Sequence, residues 1–253
     1  KFAIKKGSVV FVHSSTRKMN LEFSFFKLRE ILREVVGSEG TLLFPATHIK
    51  GSVANFLKNP KPFNVQKDIT YMGLLAELAR RYARRNPDGA RSLHPTNSVV
   101  AIGKYAKELT EELHLSLYPA GKKSPYYKIV HHQGIIIGLG VSTENLSFCH
   151  CVEDVDPSSF PVQTLEEEIV SLKVINESNQ QDTIKTFVPH PNIGFRNVSK
   201  YMKKWIKPST CHNFKFKKMQ FFVAKSDILF REMQALANQN ITIYSKRVYR
   251  NNQ

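Results

Sequence analysis

The chain has 253 residues, 42% of them hydrophobic and 11% aromatic, and a formal net charge of +16 at pH 7. That apolar content can bury a core and excludes a disordered tail, and no apolar run approaches the length of a membrane span. The basic excess favours anionic partners, yet the lysines and arginines are dispersed, with short clusters only at 80–85 and 203–207 and no zinc-finger or RNA-recognition spacing, which disfavours nucleic acid.

In chain order, residues 8–13 form an apolar, β-branched run followed by Ser14, Ser15, Thr16 and Arg17, a buried strand opening into a polar loop. Residues 22–36 carry Phe26, Leu28, Ile31, Leu32 and Val35 at helical spacing, with Gly37 suited to cap the end. A second strand is expected at 41–44, stopped by Pro45, and the polar, proline-bearing stretch 50–70 reads as a binding loop. The helix expected at 71–85 sets Leu74, Leu75, Leu78 and Tyr82 on one face and Glu77, Arg80, Arg81 and Arg84 towards the other. Asn86-Pro87-Asp88-Gly89 breaks it. A strand at 99–102, a helix at 104–113 and a strand at 135–137 entering Gly138-Leu139-Gly140 follow. Beyond Pro157, strands at 168–174 and 183–188 suggest a hairpin within a strand-rich subdomain at 160–225, and a last helix is expected at 225–238. The pattern predicts an α/β fold with a mixed central sheet flanked by helices (α/β/α), a single domain over 1–253 that includes the small strand-rich subdomain. The three cysteines, Cys149, Cys151 and Cys211, do not suit a disulfide framework and point to a reducing, cytoplasmic setting. Their spacing with His150 and His212 is wrong for zinc fingers, so no metal is expected.

Seven segments, taken in order, resemble the aminoglycoside 3-N-acetyltransferase family. They are Val12-His13-Ser14-Ser15-Thr16-Arg17, Gly40-Thr41-Leu42-Leu43-Phe44-Pro45, Met72-Gly73-Leu74-Leu75-Ala76-Glu77, Arg91-Ser92-Leu93-His94-Pro95-Thr96-Asn97-Ser98, Ser124-Pro125-Tyr126, the run 135–140, and Phe148-Cys149-His150-Cys151-Val152-Glu153. The resemblance covers roughly residues 8–160 and fades towards the C-terminus. It implies direct acetyl transfer from acetyl-CoA to an amine of an amino sugar. The family's His-x-x-Glu motif, whose histidine acts as base, falls on His150 and Glu153.

The chemistry of these residue types agrees with that expectation. An ammonium has no lone pair, so a proton must leave before nitrogen attacks a thioester, and imidazole titrates near working pH. A carboxylate on the far ring nitrogen fixes the tautomer, and positions 150 and 153 meet on one face if the segment is helical. Asp154 is an alternative partner, and His94 a rival base, although its loop reads as donor-binding or as a structural turn. A nucleophilic Cys149 paired with His150 is disfavoured because adjacent side chains diverge.

Ser14, Ser15 and Arg17 follow a strand end and suit the CoA pyrophosphate, with capping of the segment near Asn20 as the plain alternative. Ser98 accompanies His94, Ser124 offers a second donor contact, and Gly138 with Gly140 would let the pantetheine arm approach the backbone. Phe63, Asn64 and Glu77 are the acceptor-side candidates. Here the sequence departs from the family pattern: Asn64 stands where an Asp usually follows the Phe, and Lys58, Lys61 and Lys67 surround it. A further departure is Val141-Ser142-Thr143-Glu144-Asn145-Leu146 in place of a Gly-x-Asp-x-Asn-Thr stretch. A basic acceptor loop repels a polyamine drug, which points to an amine on a neutral or anionic sugar. The competing expectations are a true resistance enzyme and a CoA-binding or nucleic-acid-associated module without activity. No membrane partner is expected, and a homodimer is left open.

Overall fold

A computed structural model of the chain describes residues 2–19, 21–191, 193 and 195–244. The elements are β1 (Val9–Ser14), α1 (Phe25–Val36), β2 (Thr41–Pro45), α2 (Val53–Leu57), β3 (Phe63–Asn64), α3 (Leu74–Ala83), β4 (Gly89–Arg91), β5 (Val99–Gly103) and α4 (Ala106–Thr110). They continue as α5 (Pro125–His131), β6 (Ile135–Leu139), α6 (Cys149–Val155), β7 (Val170–Ile175), β8 (Gln181–Thr186), α7 (Val198–Trp205), β9 (Cys211–Phe216), β10 (Met219–Lys225) and α8 (Ser226–Ala237).

Seven strands form the central sheet in the order β4-β5-β2-β1-β6-β10-β9. Its centre is parallel, β1 lying between β2 and β6, and its flanks are antiparallel. β1 can be apolar at consecutive positions because both of its faces are covered. Phe11, Leu43, Ile136 and Phe222 pack on one side with Ile129, Val152, Leu229 and Met233 of α5, α6 and α8. Val10, Val12, Leu42, Val100 and Ile102 pack on the other with Leu28, Leu32 and Val36 of α1 and Leu75 and Ala79 of α3. The mixed sheet between helical layers is the architecture expected from the sequence. No helix among the described residues is long and apolar enough to cross a membrane.

The strand-rich region is arranged differently from the expectation. β7 and β8 do form a hairpin, but their sheet is completed by β3, from the stretch read as a loop, which pairs parallel with β7. β9 and β10 instead extend the central sheet through antiparallel pairing of β10 with β6. The segment 160–225 is therefore divided between two sheets.

Two helix faces also differ. Helix α1 starts at Phe25 because the Ser24 side chain accepts from the Lys27 N–H. Its core-facing stripe is buried Val36 with the partly buried Leu28 and Leu32, whereas Phe26 is 56% exposed. In α3, Leu74 is 45% exposed while Glu77 and Arg80, expected towards solvent, are buried. Both polar side chains can sit inside because each satisfies the other, as described below.

Candidate active site

Helix α6 begins one residue before His150, at Cys149. Cys149, Cys151 and Val152 turn into the core, and positions 150 and 153, three apart, stand side by side on the helix. The His150 Nδ1–H donates to Glu153 Oε2 at 2.9 Å, since a carboxylate can only accept. The other oxygen, Oε1, accepts from the Tyr244 hydroxyl at 2.9 Å. Glu153 is only 3% exposed, and both of its oxygens are engaged. Holding Nδ1 as the donor fixes the neutral ring with its lone pair on Nε2.

That lone pair faces a cavity of about 490 Å³, whose lining includes Thr96, Asn97, Ala120, Asp154 and Arg196. His150 keeps 35% of its side chain exposed. Arg196 NH1 donates to Nε2 at 2.7 Å. Burial pulls the His150 pKa down and Arg196 adds to that, but the charge and hydrogen bond of Glu153 outweigh both, leaving it above the ordinary value. Asp154, the alternative partner, lines the same cavity, and its Oδ2 accepts from the Ala120 N–H at 2.8 Å. Burial, and then the Glu153 charge, push its carboxyl up to about 7. Burial likewise raises the thiols of Cys149 and Cys151 well above their ordinary value, so neither offers a thiolate.

His94 lies under this cavity rather than in it. It is fully buried, with Nδ1 accepting from the Asn97 N–H and Nε2 bonded to Thr186 Oγ1, and burial lowers its pKa to about 3. The Asn97 amide in turn donates to Pro119 O at 2.7 Å, next to the Ala120 N–H that holds Asp154. His94 thus shapes the loop carrying Thr96 and Asn97, the turn role left open by the sequence. Ser98 is buried beside it, accepting from Arg91 Nε and donating to Ser92 O.

The remaining sequence candidates fall outside this cavity. Ser14, Ser15, Gly138 and Gly140 do gather at the C-terminal ends of β1 and β6, with the Ser15 N–H donating to Leu139 O, while Arg17 is exposed on the turn that follows. Gly138 has a packing reason to be glycine, since a Cβ there would collide with the Phe222 ring. Gly140 adopts φ +70°, and a Cβ would press on Met19 and Ser15 O. The Ser124 side chain caps α5, accepting from the Tyr127 N–H.

The acceptor-side candidates are likewise internal. Phe63 is fully buried under the Arg91 guanidinium and the His48 ring. Asn64 Oδ1 accepts from the Gln66 and Lys67 N–H groups. Glu77 takes two hydrogen bonds from Arg80, one from Arg81 and one from the Thr70 N–H. Burial pushes its carboxyl up, but these partners outweigh it and hold the pKa at about 2.

Sequence reasoning did not identify Arg196 and Tyr244. They arrive together, because their backbones form an antiparallel bridge and the Asn197 N–H donates to Ile243 O. No local motif marks them; only long-range pairing does.

A family model described as aminoglycoside 3-N-acetyltransferase matches residues 11–236. An aminoglycoside N(3)-acetyltransferase III of Serratia marcescens is 29% identical over 165 residues, which is 61% of this chain and 60% of the relative. The match therefore spans about three fifths of that relative's length. Among solved structures, "AAC-IIIb binary with CoASH" aligns with a TM-score of 0.73 at 17% identity, covering 96% of this chain and 94% of the other. "AAC-VIa bound to Sisomicin" aligns with a TM-score of 0.73 at 18% identity and the same coverages. These structural likenesses establish the fold.

Proposed function

The chain belongs to the aminoglycoside 3-N-acetyltransferase family, and from that premise we propose that it transfers the acetyl group of acetyl-CoA directly to an amino group of an amino sugar. The observation carrying this reading is the His150 imidazole, fixed through Nδ1 by Glu153 and presenting Nε2 to a cavity. As the amine nitrogen attacks the thioester carbonyl, Nε2 takes the proton that nitrogen must shed. Collapse of the tetrahedral adduct breaks the C–S bond and expels the CoA thiolate, which is reprotonated as the imidazolium returns its proton. A positioned base of this kind contributes about 10²–10⁴-fold. Glu153 stabilises the imidazolium as it forms, and the Tyr244 hydroxyl keeps Glu153 in place. The CoA complex among the structural neighbours supports the donor assignment. Ser14, Ser15, Arg17, Gly138 and Gly140 remain our proposed donor-side group, on the strength of their clustering at one sheet end.

The acceptor is an amine on a neutral or anionic sugar rather than a polycationic drug. Lys58, Lys61 and Lys67 and the net charge of +16 support this, as does the engagement of both Glu153 oxygens and of Asp154 Oδ2 within the fold. The test is CoA release with kanamycin-type drugs against release with nucleotide-linked amino sugars. Turnover of the sugars supports the reading, and vigorous turnover of the drugs alone contradicts it.

A further inference from the structure

The groups facing His150 are Glu153 and Asp154 from its own helix, Arg196 from the segment entering α7, and Tyr244 from the C-terminal segment. Glu153 carries its charge on the Nδ1 side, and Asp154 is turned to a backbone N–H. Arg196 is exposed, and no ion pair joins it to a carboxylate among the described residues. Its guanidinium, a permanent cation that can only donate, occupies the one lone pair from which His150 could act as base. An incoming amine must therefore displace it. A cationic acceptor brings nothing that attracts a guanidinium away from nitrogen. An acceptor with an acidic group beside its amine brings the fork-matching partner that guanidinium prefers.

Resting on the proposed acetyl transfer, we infer that Arg196 is a specificity-determining residue: it caps Nε2 of His150 until a carboxylate or phosphate next to the acceptor amine draws it off and frees the base. The acid and the amine then occupy adjoining positions, acid on Arg196 and amine on Nε2. Arg196 stays protonated throughout; the proton passes from amine to imidazole and from there to the departing CoA thiolate. The acceptor class is thus an amino sugar carrying a nearby acidic substituent.

The experiment has two arms. In the first, CoA release is followed for wild type, Arg196→Ala and Arg196→Lys with glucosamine, its phosphate ester and the corresponding amino uronic acid. Wild type should show kcat/KM at least about tenfold higher for an acid-bearing acceptor than for the neutral one, the scale of a charge-assisted hydrogen bond. Whichever ester or uronate gains identifies the acid. Arg196→Ala should bring that ratio close to one, and Arg196→Lys should restore part of it. Equal kcat/KM for all three acceptors in wild type, with no change in Arg196→Ala, overturns the inference.

The second arm needs no turnover. The His150 ring is titrated by NMR with inorganic phosphate or acetate. Removing the guanidinium from Nε2 should raise the His150 pKa, because Arg196 opposes its protonation. Wild type should shift upward with the anion, while Arg196→Ala should start high and not respond. A structural role for Arg196 alone would not produce that pattern. No response in wild type overturns the inference. An anion response without acetylation of any amine upholds the Arg196 seat and defeats the acetyl transfer instead.

Discussion

The two ring nitrogens of His150 have separate duties, Nδ1 held by Glu153 and Nε2 turned to the cavity. Because Glu153 lifts the His150 pKa above its ordinary value, the neutral, basic form accumulates only above that raised value. Under the proposed transfer, kcat/KM therefore climbs with pH through an acidic limb lying above about 6.5. Glu153→Gln should keep an acceptor for Nδ1–H but remove the charge, so the limb moves to lower pH while kcat/KM falls by roughly 10²–10⁴-fold. A profile unchanged in position would disconnect Glu153 from the base. Tyr244→Phe leaves Glu153 Oε1 buried without its donor and should cost about 1–3 kcal/mol in denaturant unfolding, with a smaller effect on turnover than Glu153→Gln. The dyad was legible through the resemblance to the family's His-x-x-Glu motif; the spacing fits one helical turn but by itself left Asp154 open. Arg196 and Tyr244 were not, since each lies in a different stretch of chain and the two are joined by long-range backbone pairing at 196/244 and 197/243.

Some glycines and polar residues expected at ligand contacts also have a duty in the packing of the elements. A Gly-x-Gly at a strand end looks the same in sequence whether a cofactor or a ring lies over it. Here Phe222 of β10 lies over Gly138 of β6. Gly138→Ala should destabilise by about 1–3 kcal/mol through overpacking, and adding Phe222→Leu should recover part of the loss. If Gly138 also serves the proposed donor-side group, acetyl-CoA affinity stays reduced in the double variant; unaltered affinity would leave it a packing role alone. The parallel strands β1, β2 and β6 were legible as buried apolar runs. The strands β9 and β10 were not, because β9 is an edge strand in which His212, Asn213, Phe214, Lys215 and Phe216 are all exposed. In α3, Leu75 and Leu78 face the core and Arg81 and Arg84 face solvent as the periodicity predicts, but Glu77 and Arg80 are buried, which only their three-dimensional pairing makes tolerable.

Over the whole molecule, buried titratable groups set the response to pH. His13 and His94 are neutral in the fold, lowered by burial to about 4 and about 3. Their contribution to stability is complete above an ordinary imidazole pKa of about 6.5 and is lost as pH falls through those folded values. Asp154, raised to about 7, acts in the opposite sense, its contribution present below the ordinary carboxylate range and lost as pH rises through 7. With three imidazoles lowered by burial (His13, His48 and His94) against two groups raised (Asp154 and His150), Tm should fall between pH 7 and pH 4, and His94→Gln should flatten that slope. A Tm that rises on acidification would reverse the assignment. The basic surface, by contrast, bears on encounter with anionic partners, under the proposed transfer acetyl-CoA and an acidic acceptor, rather than on the fold. The most direct measurement of the central claim compares turnover and donor binding in His150→Ala. CoA release should drop by about 10²–10⁴-fold while the Kd for acetyl-CoA stays within about twofold of wild type. A variant releasing CoA at close to the wild-type rate would contradict the account.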